Sequence, residues 1–174
     1  MGRTDEASLL IHAPAARVWA AVADPQSLQA WLPPTGMTGR VEHFDLRTGG
    51  TYRMVLTYRD SGAGKSSADS DVVRGRFVEV ADGDRIVQAV DFVSDDPDFA
   101  GTMTMTWSLT ARGSSTLVTF RADDVPAGIR ALDHARGLTD SLVGLGPFCR
   151  AAGPLISPGA NSVRAGEQSH AQEP

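Results

Sequence analysis

His134 and Asp133 stand side by side in the run DHARGLTDSL, the residue types from which a general base and its orienting carboxylate are built. Consecutive residues on a helix point about 100° apart, so the two cannot both aim at one pocket centre. By spacing, His134 also falls off the apolar stripe described below. A histidine packed on the rim of a sheet is therefore the favoured reading, and no catalytic residue is assigned. Tyr52 and Tyr58 are further candidates for proton transfer. Gln88 shares a strand face with Ile86, Val90 and Phe92, and a polar group there needs a partner from protein, water or ligand. Cys149 is the single cysteine; with no histidine close by in sequence, it reads as a buried, inert thiol. His12 and His43 lack a Cys, Asp or Glu partner at ligand spacing, so neither a metal nor any other cofactor is expected. Gly64-Lys65-Ser66 copies the last three residues of a phosphate loop. No glycine lies five positions earlier and no helix follows, which excludes nucleotide binding.

The elements that must position these residues are legible from periodicity. Residues 6–12 read as a first strand. Pro14 opens a helix that Asp24-Pro25 closes, and a second short helix runs from about Gln26 to Trp31, before Pro33-Pro34. Six strand-like segments follow: 40–47, 51–59, 71–80, 85–93, the segment of Met103, Met105, Trp107 and Leu109, and 116–123. Residues 61–70 form a small-residue hairpin loop. The segment Val125–Ala152 then carries Ile129, Leu132, Ala135, Leu138, Leu142 and Leu145 at gaps of three or four, the mark of an amphipathic helix. Asp124 would cap it and Pro126 would take its first position. Gly144, Gly146 and Pro147 suggest a kink or stop near 146. Such a helix must bury its stripe, and the concave face of a curved sheet is the natural place.

The order strand, two short helices, six strands, long helix resembles the helix-grip fold of the START-like superfamily. The stretch APAARVWAAVADPQSLQAWLPP is similar to that superfamily's opening signature. GTMTMTWSLTARGSSTLVTFRADDVPAGI with DHARGLTDSL resembles the bacterial branch named after the activator of the heat-shock-protein-90 ATPase. The resemblance spans roughly residues 6–146. It implies an α+β domain over residues 1–153, in which a seven-stranded curved antiparallel sheet wraps a long C-terminal helix. It also implies a cavity beneath that helix. On that expectation Trp31, Met54, Leu56, Tyr58, Gln88, Met103, Met105, Trp107, Leu132 and Leu138 are the candidate ligand-binding residues, the methionines suiting an adaptable apolar site. Residues 154–174, polar and without periodicity, read as a disordered tail.

Composition narrows the partners. A chain of 174 residues with 41% apolar content and a net charge of −5 suits one soluble domain and argues against a nucleic-acid surface. No window approaches the ~20 apolar residues of a membrane span, and MGRTDEASLLIHAP lacks the apolar core of a signal peptide. A cytoplasmic protein is expected. Binding of a hydrophobic small molecule is favoured over two alternatives: a polyketide cyclase or dehydratase using the same cavity, and a chaperone-binding module. A homodimer is left open.

Overall fold

The computed structural model describes residues 2–60 and 64–151; the expected tail at 154–174 lies outside the described residues. Seven strands alternate in and out along one antiparallel sheet: β1 (Arg3–Ile11), β2 (Met37–Phe44), β3 (Thr51–Tyr58), β4 (Ser70–Ala81), β5 (Arg85–Phe92), β6 (Met103–Arg112) and β7 (Ser115–Val125). Their order across the sheet is β1-β7-β6-β5-β4-β3-β2. Strands two to seven thus form a meander, and the first strand closes the far edge beside the last. Two short helices, α1 (Ala15–Ala23) and α2 (Pro25–Trp31), lie between β1 and β2, and α3 (Ala131–Ala151) follows the sheet. This is the helix-grip arrangement.

Local chemistry accounts for the boundaries. Asp24 ends α1 in extended conformation and caps α2, its carboxylate accepting the Ser27 N–H at 2.7 Å, while Pro25 fills a position that needs no donor. On β7, Thr116, Val118, Phe120 and Ala122 are all buried, the inward half of a period-two pattern. Thr116 is tolerated there because its hydroxyl donates to the Ala13 carbonyl at 2.8 Å. On β4 the inward row is Asp71, Val73, Gly75 and Phe77. The Tyr52 ring packs directly on Gly75, where a Cβ would lie 2.0 Å from Tyr52 Cε1, so only glycine fits.

The long helix departs from expectation at both ends. It begins at Ala131 rather than near Val125, because Asp124 is still in β7, in the left-handed region at φ 56°. There it accepts the Gly2 N–H at 3.2 Å, and the register of β1 against β7 slips nearby, between Arg3 and Asp5. Asp124 therefore caps nothing, and Ile129 is buried from the turn before the helix. At the other end α3 runs through Pro147 to Ala151. The carbonyl that Pro147 leaves without a donor belongs to Val143, which lies on the exposed side of the helix, open to solvent. The buried face consists of Leu138, Ser141, Leu142, Leu145, Gly146 and Cys149.

The core divides in two. One cluster joins α1, α2 and the second half of α3 to the sheet through Trp31, Trp107, Phe120, Leu142 and Leu145, each fully buried aliphatic side chain contributing about 1.5–3 kcal/mol. A smaller cluster of Val90, Met103, Ala122, Val125 and Ile129 closes the opposite end. No helix among the described residues is long and apolar enough to cross a membrane.

Candidate ligand-binding cavity

Between the two clusters, under the first half of α3, lies a cavity of about 640 Å³. The inward rows of β3, β5 and β6 build its floor, as their alternation requires: Met54, Leu56 and Tyr58, then Gln88, then Met103, Met105 and Trp107, with Leu138 of α3 above. Eight of the ten candidate residues therefore meet in one space.

The other two do not. Trp31 is buried behind the cavity wall, its indole N–H donating to the Ala21 carbonyl at 2.9 Å and its ring edge-on to Trp107 at 5.5 Å. It anchors the helix pair to the sheet rather than covering a mouth. Leu132 is 83% exposed. Because the helix starts at Ala131, its buried face continues backward from Leu138 through His134, and Leu132 lies about 200° around the helix from His134.

His134 consequently belongs to the inward face, contrary to the spacing argument. Its partner is not Asp133, which is 72% exposed and 3.7 Å from Arg130. His134 Nδ1 lies 2.8 Å from Asp5 Oδ2 on β1, and Arg3 donates to both Asp5 carboxylate oxygens at 2.9–3.1 Å. Burial is the largest influence on His134 and lowers its pKa; the hydrogen bond to Asp5 and the Asp5 charge oppose this without overcoming it, while the Arg3 and Lys65 charges push the same way as burial. The imidazole is thus neutral at pH 7, with Nδ1–H donated to Asp5. Burial raises the Asp5 pKa, but the Arg3 and His134 hydrogen bonds together outweigh it and hold the carboxyl below its ordinary value. His134 Nε2 makes no hydrogen bond with a described residue.

A second polar group stands where the connecting segment joins β3 to β4, and sequence reasoning missed it. Asp71, 2% exposed, forms an ion pair with Lys65. Its Oδ2 also accepts the Tyr58 hydroxyl at 3.0 Å, and its Oδ1 accepts the Lys65 backbone N–H. The Lys65 ammonium donates to the Tyr58 oxygen at 3.2 Å and lies 5.2 Å from the centre of the Phe92 ring. Burial lowers the Lys65 pKa, yet the Asp71 and Tyr58 bonds outweigh it and the net shift is upward. For Tyr58, burial dominates and raises the pKa. Asp71 had a signal, since it falls on the inward alternation with Val73 and Phe77. Lys65 had none, lying in a loop of small residues.

Gln88 is the third polar group. In register it lies opposite Phe77 and Met105, and Met105 lies opposite Ala122, itself opposite Asp5. Gln88 and Asp5 thus share one transverse row, three strand spacings or about 14 Å apart. The Gln88 amide has no hydrogen bond with a described residue. The described residues hold no cluster of three or more His, Cys, Asp or Glu able to bind a metal. His12 and His43 instead face Ser115 at 3.3 Å and Thr51 at 3.1 Å. Cys149 is buried, which raises its pKa.

Comparison with known proteins places this geometry. The model of the family described as Activator of Hsp90 ATPase homolog 1-like protein matches residues 12–146. No curated protein matches the chain. Among solved structures, a Chromobacterium violaceum protein is 28% identical, with a TM-score of 0.75 over 86% of this chain and 98% of its own. An AHSA1-like protein from Aeromonas hydrophila is 17% identical, with a TM-score of 0.64 over 84% of this chain and 92% of its own. DynU16, from the dynemicin biosynthetic locus, is 20% identical, with a TM-score of 0.63 over 85% of this chain and 47% of its own. The last two share the fold.

Proposed function

We propose that this chain, which belongs to the Activator of Hsp90 ATPase homolog 1-like protein family, binds an apolar or aromatic small molecule between its curved sheet and α3. The cavity carries the reading. At about 640 Å³ it falls in the range of roughly 300–1,000 Å³ usual for small-molecule sites, and it joins an apolar lining to a few polar groups, as such sites do. Met54, Met103 and Met105 adapt their shape to the guest. Fluorescence titration with N-phenyl-1-naphthylamine should give saturable binding at one site. Met105→Trp, which puts an indole into the cavity, should weaken that binding at least tenfold while the fold is retained. Absence of saturation, or equal affinity in the variant, would reject the reading.

The Asp5–His134 pair favours a second reading, in which the same cavity supports cyclase- or dehydratase-like proton transfer. A neutral imidazole oriented through Nδ1 by a carboxylate leaves Nε2 as an acceptor for a proton. Such a base would take a proton from the carbon next to a bound carbonyl, the C–H electron pair moving to the carbonyl oxygen as an enolate, and return a proton to the same carbon. With 2-tetralone in D₂O the protein should accelerate exchange at C1, and His134→Gln should slow it by about 100-fold. Equal exchange rates would dismiss the catalytic reading and leave binding intact. Chaperone docking, which the family's name suggests, has less support. Among the described residues the large exposed apolar side chains, Leu10, Val78, Leu132 and Val143, are scattered over β1, β4 and α3 rather than gathered into a patch.

A further inference from the structure

We propose that the ligand presents a neutral carbonyl oxygen to the Lys65 ammonium at the β3–β4 end of the cavity, which makes the preferred class apolar ketones; this rests on the small-molecule reading above. An ammonium group has three donors. One goes to Asp71 and one to the Tyr58 oxygen at 3.2 Å, and the third finds no acceptor among the described residues. Lys65 is mostly buried, its side chain 19% exposed, so an oxygen that takes this last proton satisfies a donor to which the described residues offer no acceptor. The cluster offers donors rather than acceptors to a guest. Both Asp71 oxygens are already engaged, Oδ1 by the Lys65 N–H and Oδ2 by the ammonium and by the Tyr58 hydroxyl at 3.0 Å.

Charge selects among oxygen acceptors. The Asp71 carboxylate already balances the Lys65 charge, so an incoming carboxylate would add an uncompensated negative charge to a wall of Phe92, Met103 and Val90. Such a charge is costly to bury. A ketone oxygen accepts the same hydrogen bond without that penalty. The ammonium sits 5.2 Å from the Phe92 ring centre, so the group attached to the carbonyl comes to rest beside an aromatic face, which favours an aryl ketone. Gln88 is four residues further along β5, about 13 Å away along the strand, too far for one oxygen to meet both. It therefore remains for a second polar group of a longer guest.

The test compares three naphthalenes of nearly equal shape: 2-acetylnaphthalene, 2-isopropenylnaphthalene, in which CH₂ replaces the oxygen, and 2-naphthoate. The natural protein should bind the ketone about tenfold more tightly than the alkene, and the carboxylate more weakly than the ketone. Lys65→Met alone would strand Asp71, so the variant is Lys65→Met with Asp71→Asn, whose amide oxygen still accepts from Tyr58. In this variant the ketone and the alkene should bind within about twofold of each other, and retained alkene affinity reports that the cavity is intact. Equal affinity of ketone and alkene in the natural protein, a preference that survives in the double variant, or tightest binding of the naphthoate would each overturn the carbonyl assignment while leaving the cavity reading standing. If none of the three binds, both readings fall.

Discussion

The neutrality of His134 follows from where its ring sits: burial penalises the imidazolium more than Asp5 stabilises it. The same depression has a consequence for stability. Above the ordinary histidine value of 6.5 the side chain is uncharged in both folded and unfolded chains. As pH falls through that value the unfolded chain takes up a proton that the folded protein resists, so stability is lost toward acid. Asp5, with its folded pKa depressed, adds a further loss only near and below the ordinary carboxylate value of 3.8. Denaturant unfolding between pH 8 and 5 should show stability declining below about 6.5, and His134→Gln should flatten that decline. An unchanged slope in the variant would mean that another group governs it.

At the scale of elements, two glycines of one helix have opposite roles. Gly144 lets α3 approach α2, since a Cβ there would lie 2.7 Å from the Trp31 carbonyl oxygen. That oxygen is backbone and cannot move away alone. Gly144→Ala should therefore destabilise the protein by about 1–3 kcal/mol despite the better helix propensity of alanine. Gly137 meets nothing closer than Pro34 Cγ at 3.9 Å, and Gly137→Ala should stabilise by about 0.4–1 kcal/mol. Urea denaturation of both variants checks the pair, and equal signs would refute the close-approach account. The helix position is further fixed by Ser141, whose hydroxyl donates to the Leu32 carbonyl at 2.7 Å. An apolar stripe can set which face of α3 turns inward, but contacts of this kind set how near it comes.

For the molecule as a whole, the cavity exists because one apolar cluster joins the sheet to α3, a second joins it to the turn before α3 at Ile129, and the space between them stays unfilled. Much of this was readable from residue order. Alternation along β3, β5 and β6 correctly set Tyr58, Gln88, Met105 and Trp107 on one inward face, because a strand's side-chain period is fixed at two by its backbone. The start of α3 was not readable. Ile129 mimics helical spacing while being buried from a turn, and that false member of the stripe drew Leu132 inward and pushed His134 out. The polar clusters were readable only in part. Asp71 betrays itself by alternation, but Lys65 comes from a loop, and Asp5 reaches His134 across 129 residues. The amino-acid sequence by itself determined the strands, their faces and the grip of sheet on helix, since those follow from local periodicity and the need to bury one side of each element. Only the tertiary structure decided which charged side chains face each other and how much space stays open, because both depend on the register and separation of elements far apart along the chain.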